Sequence, residues 1–171
     1  MTAGEFSRLF DVRQAEGKSV RLVANEVERA ALAARFGIVR IDRLEAEVLL
    51  ERDGEAVNAK GQLNAEIVQS CAVSAEDLPA SMHEPLTFRF VPAQGDHRPD
   101  EEIELDAGDL DEIEYEGTMF DLGEAVAQSV ALAIDPFATG PQAEEARRKA
   151  GLIDETASGP FAALAKLKKQ D

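Results

Sequence analysis

Residues 59–92, AKGQLNAEIVQSCAVSAEDLPASMHEPLTFRFVP, limit what this chain can fold into more than any other stretch. Two alternating segments flank a polar turn. Before the turn, Ala59, Gly61, Leu63, Ala65 and Ile67 share one face, and Lys60, Gln62, Asn64 and Glu66 share the other. After it, Leu86, Phe88 and Phe90 alternate with Thr87 and Arg89. Period two with aromatic and branched residues predicts two half-buried strands. The same alternation runs upstream through Leu44, Ala46, Val48 and Leu50, and Asp53-Gly54 favours a turn between antiparallel strands. A meander follows, with its fourth strand over Leu86–Val91. One face packs on helices and the other stays wet.

Two helices stand out. In NEVERAALAARFG, Val27, Ala30, Ala31 and Ala34 recur at helical spacing. Asn25 and Glu28 form a capping box, and Gly37 permits a left-handed stop. The second helix runs from Asp121, its cap, to about Ile134. Glu124 sits at N3, the buried stripe is Leu122, Ala125, Val126, Ser129, Val130 and Ala133, and Pro136 follows. Shorter strands are predicted over Phe6–Val12 and Ser19–Val23, with an edge strand over Asp111–Glu116 whose charges discourage further pairing. A short strand at Ile103 and Leu105 is compatible with the pattern. Beyond Gly140, AEEARRKAG predicts a short helix closed by Gly151, and Phe161–Lys169 is an amphipathic segment that needs a surface to dock on. The expected fold is α+β. It is a single domain whose antiparallel sheet has four to six strands, open or partly barrel-like, packed with two main helices. The domain spans residues 1–140 with an acidic loop at about 94–112, and 141–171 form a helical extension.

Charge is uneven. The formal net charge is −16, and Gln94–Glu124 holds 13 acids against one arginine. Met1–Glu55 is nearly balanced, with 11 acids and nine bases. Such a chain is repelled by nucleic acid unless a separate basic face exists, which argues against DNA as a partner. A run of acids is either a solvated loop or a docking surface for a basic partner. No stretch approaches the roughly 18 apolar residues needed to cross a bilayer. The N-terminus lacks a basic region followed by an apolar core, and one cysteine makes no internal disulfide. The cytoplasm is the expected compartment.

Chemistry-bearing motifs are sparse. Cys71 precedes His83 and Glu84, but this spacing is no nucleophile signature, and a cysteine at a strand end ordinarily serves as a small buried hydrophobe. No phosphate-binding glycine loop, paired-histidine metal helix or nucleophile elbow occurs. Phe88-Arg89-Phe90 is the nearest approach to an RNA-stacking platform, yet alternation turns both phenylalanines to the core.

Five stretches in order, EFSR, VQSCAVSAED, HEPLTFRFVP, MFDLGEAVAQSVALAIDPF and PFAALAKLK, resemble YceD, the bacterial large ribosomal RNA accumulation family, in its alphaproteobacterial-type branch. The resemblance places family-motif positions at Gln69, Cys71, Val73, Glu84, Phe90, Asp121, Leu122, Leu132, Asp135 and Pro136. Many members outside this branch carry a second cysteine three residues after the first. Ser74 stands there in this chain, so neither metal nor cofactor is expected from one thiolate and two histidines, His83 and His97.

The resemblance implies a non-enzymatic ribosome-biogenesis factor. Its expected partner is a basic ribosomal protein or assembly factor, with rRNA involved indirectly. The candidate contact residues are Asp100, Glu101, Glu102, Glu104, Asp106, Asp109, Asp111 and Glu112. Two alternatives stand beside it: direct RNA binding through Arg21, Arg35, Arg40 and Arg43, and an enzyme dependent on Cys71.

Overall fold

Strand pairing follows the alternation. The computed structural model describes residues 4–93 and 112–151. The elements are β1 (Leu9–Asp11), a 3-10 turn (Val12–Gln14), β2 (Lys18–Val23), α1 (Glu26–Phe36), β3 (Arg40–Asp53), β4 (Ala56–Ser70), β5 (Asp77–Pro92), β6 (Glu112–Tyr115), β7 (Met119–Asp121), α2 (Leu122–Ala133) and α3 (Ala143–Lys149). They belong to two compact units. One comprises Met1–Val68 with Pro79–Ile134, and the other comprises Gln69–Leu78 with the residues from Asp135 on.

In the first unit the order of the five-stranded sheet is β2-β3-β4-β5-β6, and β1 with β7 makes a separate two-stranded ribbon. The architecture is α+β, as the pattern predicts, and the sheet is open. Register puts Val20 opposite Val48, Leu44 opposite Ala65, Ala46 opposite Leu63 and Leu50 opposite Ala59. All eight are buried, so one residue of slip would turn the entire apolar set to water. A bulge between Ile41 and Arg43 takes up one extra residue, which returns both Ile41 and Leu44 to the inner face.

Four expectations change. β5 begins at Asp77 rather than Leu86, which reduces the polar turn to the residues after Ser70. β6 pairs with β5 in parallel, so the sheet is mixed. A parallel neighbour needs a crossover of a dozen or more residues, and residues 93–111 supply that length. The first strand shrinks to Leu9–Asp11 because its partner β7, which the alternation does not reveal, is itself three residues long. Phe6 is still fully buried.

The fourth change is the orientation of α1. Its cap is as expected: Asn25 accepts from the Glu28 amide, Glu28 accepts from the Asn25 amide, and Gly37 is left-handed at φ 67°. The predicted stripe, however, faces outward. Val27 is 79% exposed, whereas Leu32 and Ala33 are buried and Phe36 packs against the core. Burying one leucine and much of one phenylalanine removes more apolar surface from water than burying a valine and three alanines. Spacing alone weighs all these residues alike. On α2 the stripe is largely the predicted one, with Leu122, Ala125, Val126 and Val130 buried and Ala127 added.

An aromatic file joins ribbon to sheet. Phe120 lies 6.0 Å from Phe10 and 4.5 Å from Phe90, and Phe90 lies 6.1 Å from Phe88. Close backbone approach then makes two glycines obligatory. A Cβ on Gly61 would sit 2.0 Å from the Glu47 carbonyl oxygen, and one on Gly123 would sit 2.1 Å from that of Phe6. Both obstructions are main chain and cannot swing aside. Gly61→Ala is therefore expected to lower unfolding free energy by about 1–3 kcal/mol, the usual cost of overpacking. Urea denaturation of the variant beside the parent chain measures it.

Candidate functional site

The positions expected from the sequence to carry the family motifs fall in both units, five in each. In the first unit, Asp121 is the keystone. It caps α2, accepting the Glu124 amide at 3.1 Å. The same carboxylate accepts the Ser7 hydroxyl at 2.6 Å and the Arg8 amide at 2.8 Å. Leu122 next to it is fully buried, and its amide donates to the Arg8 carbonyl at 3.0 Å. Phe90 is also a core residue. Glu84 and Leu132 are exposed, Leu132 to 85%.

Ion pairs tie the same region together. Arg35 at the end of α1 reaches Glu124 at 2.7 Å and Glu5 at 3.1 Å. Arg35, followed by the Gln128 amide, holds the Glu124 carboxyl below its ordinary range. Arg8 does the same for Glu28, assisted by the Asn25 amide.

In the second unit, Gln69, Cys71, Val73, Asp135 and Pro136 come together around one turn. The Cys71 amide donates to the Glu76 carbonyl at 2.8 Å, closing the loop, and Ala75 holds a left-handed φ of 59°. The Gln69 side chain donates to the Asp135 carbonyl at 3.1 Å, and the Ala72 amide donates to Ala138 at 2.9 Å. The Cys71 thiol is 4% exposed. Its sulfur accepts amide N–H groups from Ser74 at 3.3 Å, Gly140 at 3.4 Å and Val73 at 3.5 Å.

Ser74 beside the thiol, first through its hydroxyl and then its amide, lowers the Cys71 pKa from 9.0 to about 7, with Gly140 and Val73 adding to the effect. The hydroxyl has one proton and also faces Glu76 Oε1 at 3.0 Å, so the amides are the constant donors. Glu76 also accepts the Gln142 amide at 2.9 Å. Gly140 leaves room for this arrangement: a Cβ there would lie 2.4 Å from Glu76 Oε1.

This geometry can stabilise a thiolate. His83 lies on the outer face of the sheet, where Nδ1 is 2.6 Å from Asn64 Oδ1. No group of three or more His, Cys, Asp or Glu residues among the described residues is arranged to hold a metal ion. What surrounds the sulfur are N–H donors and a hydroxyl, so the turn does not fit a zinc site.

The candidate partner contacts Asp100, Glu101, Glu102, Glu104, Asp106, Asp109 and Asp111 lie outside the described residues, as do His97 and Phe161–Lys169. Glu112 opens β6, exposed, 3.6 Å from Arg89 Nε. The four candidate RNA-binding arginines are all paired with acids. Arg21 reaches Glu45 at 3.0 Å, Arg40 reaches Asp42 at 2.9 Å, Arg43 also bonds Glu45, and Arg35 is held as above. Phe88 and Phe90 are buried, so they offer no stacking surface. The sequence reading missed the triple role of Asp121, for which the cap pattern gave only a partial signal. It also missed Gly140 as a donor to Cys71, since the two are far apart in the chain.

A family model described as large ribosomal RNA subunit accumulation protein YceD matches residues 59–168. No curated protein and no solved structure matches the chain.

Two outcomes follow. Asp121→Ala removes the cap and leaves the Ser7 and Arg8 donors without an acceptor, so unfolding free energy should fall by about 2 kcal/mol. Asp121→Asn, which still caps, should lose less, and thermal or urea melts compare the two. Thiolate absorbance in the intact chain should rise near pH 7, not near 9. Because folding lowers this pKa, the thiolate's contribution to stability is complete above pH 9 and is lost as pH falls through about 7. Melts against a Cys71→Ala variant at both pH values check the sign.

Proposed function

This chain belongs to the YceD family of large ribosomal RNA subunit accumulation proteins, and from that premise we propose that it is a non-enzymatic assembly factor that holds a basic ribosomal protein or assembly partner on an acidic surface. A role in ribosome biogenesis follows from the family. Charge distribution is the observation that carries the finer reading. Gln94–Glu124 has 13 acids and one arginine, while Arg21, Arg35, Arg40 and Arg43 are each engaged by a carboxylate. Free ribosomal proteins are strongly basic, so the acidic run attracts them over a distance set by ionic strength. Ribosomal RNA then displaces the factor by offering a denser array of negative charge.

The same ion pairs weigh against direct RNA binding, since a phosphate would have to break each one to recruit its arginine. Burial of Cys71 weighs against enzymatic use. No helix among the described residues is long and apolar enough to cross a membrane. The cytoplasm, where ribosomes are assembled, is the proposed compartment.

Replacing Asp100, Glu101, Glu102 and Glu104 with serine or asparagine tests the reading, with Asp121 and Glu124 left intact so that folding is not the variable. Cells carrying only this variant should accumulate fewer mature large subunits, most visibly when expression is limiting. Circular dichroism confirms the fold. A normal subunit profile from the folded, charge-depleted chain would end the acidic-docking mechanism and leave the family role standing. Steeply salt-dependent binding of the parent chain to rRNA would instead favour direct phosphate contact.

A further inference from the structure

We propose that the groove between β6 and the β1–β7 ribbon seats a segment of the basic partner in which lysine or arginine alternates with large apolar side chains. The proposal rests on the reading above that the partner is basic, and adds where and how it is gripped. The groove has a volume of about 280 Å³, small for a metabolite pocket and sized for a few side chains of a passing segment. Phe90, Phe120 and Ile113 line it with apolar surface.

Its outer wall follows from ribbon geometry. Leu9 pairs with Asp121 and Asp11 with Met119, so these four side chains share one face, while the Phe10–Phe120 pair turns to the core. Leu9 is thereby left 60% exposed and Met119 40% exposed, two large apolar side chains in the open beside an apolar cleft.

The rim decides the occupant. Among the described residues, Glu114, Glu116, Asp121 and Glu124 line the groove, and no lysine or arginine does. Arg35 neutralises Glu124, and Glu114 is engaged within the chain, so Glu116 and Asp121 carry the charge of the rim. Asp121 is held by a hydroxyl and by amides, which satisfy its oxygens without cancelling its charge. A second copy, itself at −16, would bring a like-charged rim to this one, and the acidic run 94–111 is disfavoured for the same reason. A cationic, apolar segment meets both features.

The test uses the full chain and two synthetic peptides of equal charge, one alternating lysine with leucine and one alternating lysine with serine. The leucine peptide should bind at least about tenfold tighter at physiological salt, as expected for burial of even one leucine side chain. Its NMR shifts should centre on Leu9, Ile113 and Met119. The double variant L9S/M119S, altered only at outward-facing positions, should remove the difference between peptides and keep the weak, salt-sensitive attraction of both.

Equal affinities for the two peptides, shifts centred elsewhere, or discrimination unchanged in L9S/M119S would each overturn the groove. So would a dimer of the free chain that L9S/M119S dissolves, since that assigns the surface to a second copy. The charge-depleted chain separates this result from the previous one. It keeps every groove residue, so it should still discriminate the peptides whatever its effect on large subunits.

Discussion

The Asp121 carboxylate is the interaction on which the larger unit depends. It ends β7, caps α2 and accepts the Ser7 hydroxyl and Arg8 amide from the opposite end of the chain. A carboxylate has enough lone pairs for all three donors, so one side chain sets the position of the N-terminal segment, the ribbon and the helix together. Gly123, two residues on, permits the main chains to meet at that point. Leu122 between them fills the core, and Phe120 before them joins the aromatic file that reaches the sheet through Phe90. The motif Met119-Phe120-Asp121-Leu122-Gly123 is therefore one structural device, each residue constrained by a different neighbour.

The second constraint is electrostatic. The described arginines are mostly spent inside the molecule: Arg8 on Glu28, Arg35 on Glu124, Arg21 and Arg43 on Glu45, and Arg89 on Asp53 and Glu112. Each exposed pair contributes little to stability on its own. Together they engage most of the described arginines within the molecule, while the formal net charge stays at −16. Arg89 also has a positional role. It bridges β5 to the first residue of β6.

Around Cys71 the physics is different, because neutral donors replace counter-charges. Amides of Val73, Ser74 and Gly140 converge on one sulfur in a turn where Ala75 accepts a left-handed backbone. Such a nest favours the thiolate without any cation nearby, and it organises the loop after α2 around the tip of the β4–β5 hairpin. Gln69, Cys71, Val73 and Asp135 are parts of this one closure, with Ser74 contributing an amide and a hydroxyl.

The sequence by itself determined the local elements: the alternating strands β3 and β4, the capping box at Asn25 and Glu28, the left-handed Gly37 and the Asp121 cap. These depend on residues within a few positions of one another, so periodicity and capping rules reach them. It also carried the family, through short motifs in order. Tertiary structure alone decided which face of α1 is buried, because Leu32 and Phe36 compete with Val27 and the alanines only when a sheet is present to receive them. It decided that β6 runs parallel and that β1 pairs with β7, both partnerships between distant segments whose lone strands are too short to show a period. It also brought Gly140 to Cys71 and Ser7 to Asp121. Those hydrogen bonds join residues far apart in the chain, and only the folding of everything between them sets the distance.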